Sequence, residues 1–138
     1  MRIKILFLLS FTLIFSACNG QQTKKTEAGN TKERTFQMVS VPSVITEPEE
    51  RAAYLVKHYW DKFDFTDTAL IHLPEITEQA TSDYIDLMKY VPAKVASSSI
   101  KEMMNKASVD SVMFFYFSGL YEKYLYDPNS PMRDESLY

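Results

Sequence analysis

Three residues in the first predicted helix could form a small polar site. Tyr54, His58 and Asp61 are spaced so that they fall within about 60° on one side of an α-helix. A histidine–aspartate pair three residues apart can orient the imidazole as a general base or a metal ligand. The alternative is a solvated helix face, or a hydrogen-bonded histidine at a domain contact. Because no nucleophile or third ligand lies nearby in sequence, we favour that alternative and predict a speculative surface site without a catalytic residue.

Two other patterns resemble functional motifs but lack essential parts. Asp61, Asp64 and Asp67 are three residues apart, whereas calcium loops place ligands at every second residue around a central glycine. Ser98 and Lys101 match the S-x-x-K motif, but the S-D-N and K-T-G elements that accompany it are absent. The aspartates are explained more simply by a helix end and a turn cap. We therefore expect neither a metal site nor a cofactor.

The only cysteine of the chain, Cys18, follows a hydrophobic leader. After a basic start, residues 5–15 form an apolar run of eleven residues, whereas a membrane-spanning helix needs about 20. The sequence Phe15-Ser16-Ala17 before the cysteine resembles the lipobox of bacterial lipoproteins, with phenylalanine where leucine is usual. We predict a lipoprotein signal peptide over residues 1–17 and acylation of Cys18, with palmitate among the attached chains. An ordinary secretory signal cut near Ala17, or an uncleaved anchor, is the alternative.

An acylated Cys18 would leave the mature chain without a thiol. Such a chain can form neither an internal disulfide nor a CxxC redox centre. The formal net charge of −3 argues against nucleic-acid binding, which needs a clustered basic face. Signal removal would also take Arg2 and Lys4 away and make the chain more acidic. The expected partner is the membrane, through the acyl chains.

The address of such a lipoprotein is the cell envelope, with its folded part facing the periplasm. Asn19 after the cysteine is not the aspartate that retains many lipoproteins at the inner membrane, so the outer membrane is favoured. Residues 18–45 are predicted to comprise the acylated cysteine and a flexible linker. Within this linker, residues 36–41 alternate between apolar and polar types. They could form a short strand or dock on the domain, and the sequence does not decide between the two.

The remaining residues, 46–138, are predicted to form an all-α domain, a small antiparallel bundle of four to five helices. Only one glycine, Gly119, occurs in this part, fewer than the turns of an all-β domain require. Thr46 with Glu49 has the pattern of a capping box for a first helix that ends between residues 61 and 64. Pro74 and Pro92 each open a further helix. A fourth spans residues 108–126, and a fifth near Arg133 is left open.

The predicted fourth helix is apolar around more than half of its circumference. Its main stripe comprises Val109, Met113, Tyr116, Leu120 and Tyr124, and further aromatic residues widen it. A helix of this kind is either central, with neighbours on two sides, or faces a partner.

Two runs of sequence suggest a relationship to a known domain. Residues 51–67, RAAYLVKHYWDKFDFTD, and residues 122–133, EKYLYDPNSPMR, resemble an uncharacterised helical N-terminal domain of Bacteroidetes lipoproteins. In that family the domain commonly precedes a thioredoxin-like thiol:disulfide module. The resemblance covers roughly residues 46–138 and implies a helical fold. Redox chemistry would belong to the downstream module, so the resemblance assigns it to no residue of this chain.

These observations leave two functional hypotheses and a weaker third. The first is a non-catalytic, lipid-anchored accessory or interaction domain of the envelope, whose partner is a thioredoxin-like module or another envelope protein. The second is the N-terminal portion of a thioredoxin-like thiol–disulfide oxidoreductase, from a truncated gene or a stand-alone piece, whose catalytic module is missing from this chain. The third is a small enzyme centred on His58 and Asp61.

Overall fold

The computed structural model describes residues 34–138, which form four α-helices and two shorter helical segments. The α-helices are α1 (Pro48–His58), α2 (Pro74–Met88), α3 (Ala93–Ala107) and α4 (Ser111–Tyr121). A 3₁₀ helix spans Thr68–His72, and a π-helix, Glu122–Tyr126, directly continues α4. Helix α1 packs on α2 and α3, and α3 packs on α4. Cys18 and the predicted signal peptide lie outside the described residues.

The predicted all-α class is confirmed, with four helices packed together and no strand within residues 34–138. The fifth helix considered near Arg133 does not form, because residues 127–138 are turns. Asp127 accepts a hydrogen bond from the backbone N–H of Asn129 at 2.8 Å, and Asp134 accepts one from that of Ser136 at 3.1 Å. Such local side-chain bonds compete with helical hydrogen bonding. Among the described residues, no helix has the length and apolar character needed to cross a membrane.

Helix α1 differs from its prediction at both ends. Its N-cap is Glu47 rather than Thr46, and no side chain caps it. The helix ends at His58, before the predicted 61–64, because the backbone tightens into turns there. The N–H of Asp61 donates to the carbonyl of His58 at 3.1 Å, and that of Phe63 to the carbonyl of Trp60 at 3.1 Å. These turns bring Trp60 into the core, where it is 3% exposed.

Helix α4 is shorter than predicted, and a different set of its residues is buried. Asp110 is the N-cap, accepting from Val112 N at 2.8 Å and Met113 N at 3.1 Å. Val109 therefore precedes the helix and is exposed, contrary to its place in the predicted stripe. Met113 and Leu120 are buried as predicted. The other buried residues of α4 and the π-helix are Phe117, Tyr121 and Leu125.

The core is built largely from aromatic rings around Trp60. The ring of Trp60 meets those of Phe63, Phe117 and Tyr84 edge-on, at centroid distances of 5.2, 5.3 and 5.6 Å. Tyr84 also stacks on Tyr59 at 5.0 Å. Edge-to-face and offset contacts of this kind are the favoured geometries of aromatic pairs. The indole therefore links α1 to both α2 and α4.

Residues 34–41 form no strand and dock on the helices, which decides between the two alternatives for residues 36–41. The ring of Phe36 lies 4.9 Å from that of Tyr59 and 5.5 Å from that of Trp60. Arg34 pairs with Asp67 at 2.8 Å, and Lys62 donates to the backbone carbonyl of residue 38 at 3.2 Å. The last part of the predicted linker is thus attached to the helical domain.

Candidate functional site

The predicted polar residues lie where α1 ends beside α3. His58 is the last residue of α1, and Asp61 follows in the turn. His58 Nδ1 lies 2.7 Å from Asp61 Oδ2, and Lys106 Nζ lies 2.7 Å from Asp61 Oδ1. Since an ionised carboxylate only accepts hydrogen bonds, Nδ1 of His58 carries the proton of that contact. Asp61 therefore bridges the end of α1 to the last turn of α3.

Tyr54 completes the cluster that the sequence predicted. Its ring lies 4.4 Å from the imidazole of His58, tilted by 35°. Lys106 was not predicted, because it is far away in sequence and only the packing of α3 against α1 brings it here. We call Tyr54, His58, Asp61 and Lys106 the His58 cluster.

The electrostatics of the His58 cluster are those of a surface ion pair. The hydrogen bond from Lys106 is the main cause that holds the pKa of Asp61 below its usual value, and the bond from His58 adds to it. The side chains of His58, Asp61 and Lys106 are 42, 38 and 35% exposed, so solvent screens their charges. Ion pairs as exposed as this one contribute little to stability. Within residues 34–138, no group of three histidine, cysteine or acidic residues could hold a metal.

A second polar cluster attaches the π-helix to α2. Glu78 accepts a hydrogen bond from the hydroxyl of Tyr124 at 3.0 Å and pairs with Lys123. The bond from Lys123 is the main cause that lowers the pKa of Glu78, and the same pair raises the pKa of Lys123. Nearby, the hydroxyls of Thr77 and Tyr116 lie 2.8 Å apart. These contacts hold the π-helix, which continues α4, against α2.

Three tyrosines place hydroxyl groups in the core. Burial raises the pKa of Tyr59, Tyr84 and Tyr121, so all three stay protonated at physiological pH. In the described part of the chain, the hydroxyls of Tyr59 and Tyr121 have no hydrogen-bond partner. A buried phenol that does not ionise is not a nucleophile or a base, which leaves these rings a packing role.

The outer side of α4 is apolar and exposed. Val112 is 50% exposed, Phe115 71%, and Tyr126 of the π-helix 49%. Gly119 lies between them, and a Cβ atom there would meet no other atom within 4 Å. A shallow groove begins at Gly119, near the C-terminal end of α4, and is lined further by Glu122, Lys123, Tyr126, Asp127 and Pro128. We call Val112, Phe115, Gly119 and Tyr126 the α4 face.

Comparison with known protein families relates these helices to a defined domain. A family model described as "Domain of unknown function (DUF5106)" matches residues 17–138. The chain belongs to the DUF5106 family. Since the match includes every described helix, the His58 cluster and the α4 face are features of a DUF5106 domain. None of the curated proteins compared with the chain matches it significantly.

A solved structure of a larger protein is similar to these helices. The chain is similar to the N-terminal part of a thioredoxin-like protein from Bacteroides caccae, with 50% identity and a TM-score of 0.73. The match covers 76% of this chain and 38% of that one, so this chain spans well under half of the B. caccae protein. The predicted relationship to a helical domain associated with a thioredoxin-like protein is supported to that extent.

The structure thus brings Tyr54, His58 and Asp61 of the DUF5106 domain together, as their spacing predicted, and adds Lys106. It does not describe Cys18, whose acylation stays a prediction. The α4 face was foreseen only as an excess of apolar residues. The identity of the exposed residues could not be read from the sequence, because it depends on which side of α4 meets α3.

Proposed function

We propose that this DUF5106 domain is a non-catalytic, lipid-anchored interaction domain of the cell envelope that works beside a thioredoxin-like module. The observation that carries the proposal is the 50% identity to part of a thioredoxin-like protein, in a chain that has a single cysteine. Exchange through a CxxC motif needs two thiols, an attacking one and a resolving one. This chain can therefore assist such chemistry but cannot perform it alone.

The His58 cluster supports a structural role over a catalytic one. Both carboxylate oxygens of Asp61 are engaged, one by His58 and the other by Lys106. A catalytic dyad would need a nucleophile or substrate site at the imidazole. Among the described residues, His58 has a ring contact with Tyr54 and a hydrogen bond with Asp61, and neither supplies a nucleophile. The cluster is better explained as a contact that holds α1 to α3.

Anchoring through acylated Cys18 sets the distance between the domain and the membrane. Because Phe36 is already docked on the core, the stretch available as a tether runs from residue 18 to about residue 33. A flexible chain of that length reaches roughly 20–25 Å. The domain would therefore face the periplasm close to the membrane surface, with the outer membrane favoured by Asn19.

A second proposal is that the chain represents the N-terminal portion of a thioredoxin-like thiol–disulfide oxidoreductase. It is supported by the same comparison, because the matched part is only 38% of the B. caccae chain. Reading the gene beyond codon 138 separates the two. An in-frame CxxC module would support the oxidoreductase, and a stop codon would support the separate interaction domain.

Two measurements test the first proposal. Metabolic labelling with a palmitate analogue should mark wild type but not Cys18→Ala, and the variant should leave the membrane fraction while keeping its helical circular-dichroism spectrum. Labelling of the variant, or loss of its fold, would contradict lipid anchoring through a structurally independent Cys18. In addition, the chain alone should not accelerate insulin reduction by dithiothreitol, and acceleration would refute the non-catalytic assignment.

A further inference from the structure

The α4 face is an exposed apolar surface, although the ring of Tyr138 covers part of Tyr126. Single exposed apolar residues are common on proteins, and Tyr90, 69% exposed, is an example elsewhere on this domain. The α4 face differs because its residues adjoin. Val112 and Phe115 are three apart, and Phe115 and Gly119 four apart, the spacings that make helical residues neighbours. Contiguous exposed apolar patches mark interaction sites more often than isolated residues do.

The shape of the α4 face fits a partner side chain. Gly119 leaves open space on α4, since an added Cβ would meet no atom within 4 Å apart from its chain neighbours and the nearby backbone of its own helix. The groove continues from Gly119 to Tyr126 and Pro128 along the π-helix. π-helical turns are rare and, where they interrupt an α-helix, are frequently found at functional sites. Here it is held in place by Lys123 and its ion pair with Glu78.

The last described residues lie close to the groove, which indicates what could occupy it. The N–H of Asp134 donates to the carbonyl of Leu125 at 3.0 Å, so the segment after Pro131 folds back along the π-helix. Tyr138 then stacks on Tyr126 at 5.0 Å, which places the last described residue beside the groove. In the B. caccae protein the matched part is N-terminal, and most of the chain lies beyond it. Whatever follows this position in such a protein starts at the edge of the α4 face.

We propose that the α4 face is the surface on which the DUF5106 domain docks its thioredoxin-like module, with Phe115 as the central contact. This inference rests on the proposed function and names the surface for it. The module should offer an apolar patch with a polar rim, matching the aromatic centre of the α4 face and the exposed Glu122 and Lys123 at its border. Interfaces between domains of one chain are commonly modest in area and contain both polar and apolar residues.

Binding to the thioredoxin-like remainder of the B. caccae protein tests the inference. The exported chain carrying Cys18→Ser, so that no lipid is attached, is titrated with that remainder and followed by isothermal calorimetry. Phe115→Asp should weaken binding at least tenfold, because it places a charge where an aromatic ring should be buried. Tyr90→Asp is the matched control, since it removes an equally exposed aromatic residue elsewhere and should bind like wild type. Circular dichroism verifies that both variants stay folded.

The outcomes separate the surface from the proposed function. Equal binding by wild type and Phe115→Asp would overturn the α4 face as the docking surface while leaving the association with a thioredoxin-like module intact. No binding by wild type would overturn the association and the surface together. Sedimentation velocity tests whether a second copy of this chain binds the α4 face instead. A wild-type dimer that Phe115→Asp abolishes would assign the α4 face to that second copy.

Discussion

Replacing Phe36 by alanine should loosen the segment before α1 and weaken the aromatic core. Phe36 is half-buried, and its ring contacts those of Tyr59 and Trp60 at 4.9 and 5.5 Å. Burying a phenylalanine fully contributes about 1.5–3 kcal/mol, and an aromatic pair adds about 0.5–1.5 kcal/mol. For a partly exposed ring at the edge of the core, we expect a loss of about 2 kcal/mol in the free energy of unfolding.

Urea unfolding followed by tryptophan fluorescence measures this loss directly. Trp60 is the only tryptophan of the chain and lies beneath Phe36, so its emission reports both unfolding and removal of the ring above it. With a denaturant slope of about 2 kcal/mol per molar, the urea midpoint should fall by about 1 M. The native emission of Phe36→Ala should also shift to longer wavelength as water reaches the indole.

Met38→Ala provides the matched control in the same segment. Met38 is 48% exposed, so its truncation should cost less than about 0.5 kcal/mol, as at other surface positions. If Phe36→Ala kept the wild-type midpoint and emission maximum, the docking of residues 34–41 and its role in covering Trp60 would be refuted. Residues 34–41 would then belong functionally to the tether.

Three further predictions concern the helices. Asp61→Asn removes an exposed ion pair with Lys106, so it should cost less than about 1 kcal/mol at pH 7. Because the folded-state pKa of Asp61 is lowered, its contribution is present above the unfolded pKa of about 3.9 and disappears as the pH falls through the lower folded value. Urea midpoints of variant and wild type should therefore converge in acid, and a constant difference would contradict the pairing. Leu120→Asp buries an unpaired charge in the core and should abolish the cooperative thermal transition that Phe115→Asp retains; a wild-type melting curve would show that Leu120 is not buried. Gly119→Ala should raise the free energy of unfolding by about 0.5–1 kcal/mol, since alanine suits a helix interior better than glycine, and should weaken module binding by filling the groove; a destabilised variant would show that Gly119 is closely packed.

Two helix starts were predicted correctly from prolines, whereas the start of α4 was predicted at residue 108 and lies at Ser111, after the Asp110 cap. Pro74 opens α2, and α3 begins directly after Pro92, because proline is preorganised for a first helical turn. The ends were less predictable. His58 ends α1 early because Tyr59 and Trp60 gain more by turning into the core than by continuing the helix, a competition between long-range packing and local propensity.

The candidate site also combines contacts that are local in sequence, which could be predicted, with a long-range contact, which could not. Helical spacing makes Tyr54 and His58 neighbours, and Asp61 reaches His58 from the turn that directly follows α1, so these contacts are local in the chain. Lys106 and the ion pair that neutralises Asp61 come from α3, and no short-range pattern relates residues so far apart. The contact between Asp61 and α3, on which the proposed packing role of this cluster rests, thus required the folded domain.

The amino-acid types alone were sufficient for the all-helical class and for the absence of a second cysteine from this sequence, while the acylation of Cys18 stays a prediction from the same source. Each of these depends on composition or on residues close together in the chain. The docking of Phe36, the bridging by Asp61 and the exposure of Phe115 depend instead on how α1, α3 and α4 pack. Burial is a property of the assembled helices, so an apolar residue in the sequence is a candidate for the core or for an interface until its neighbours are in place.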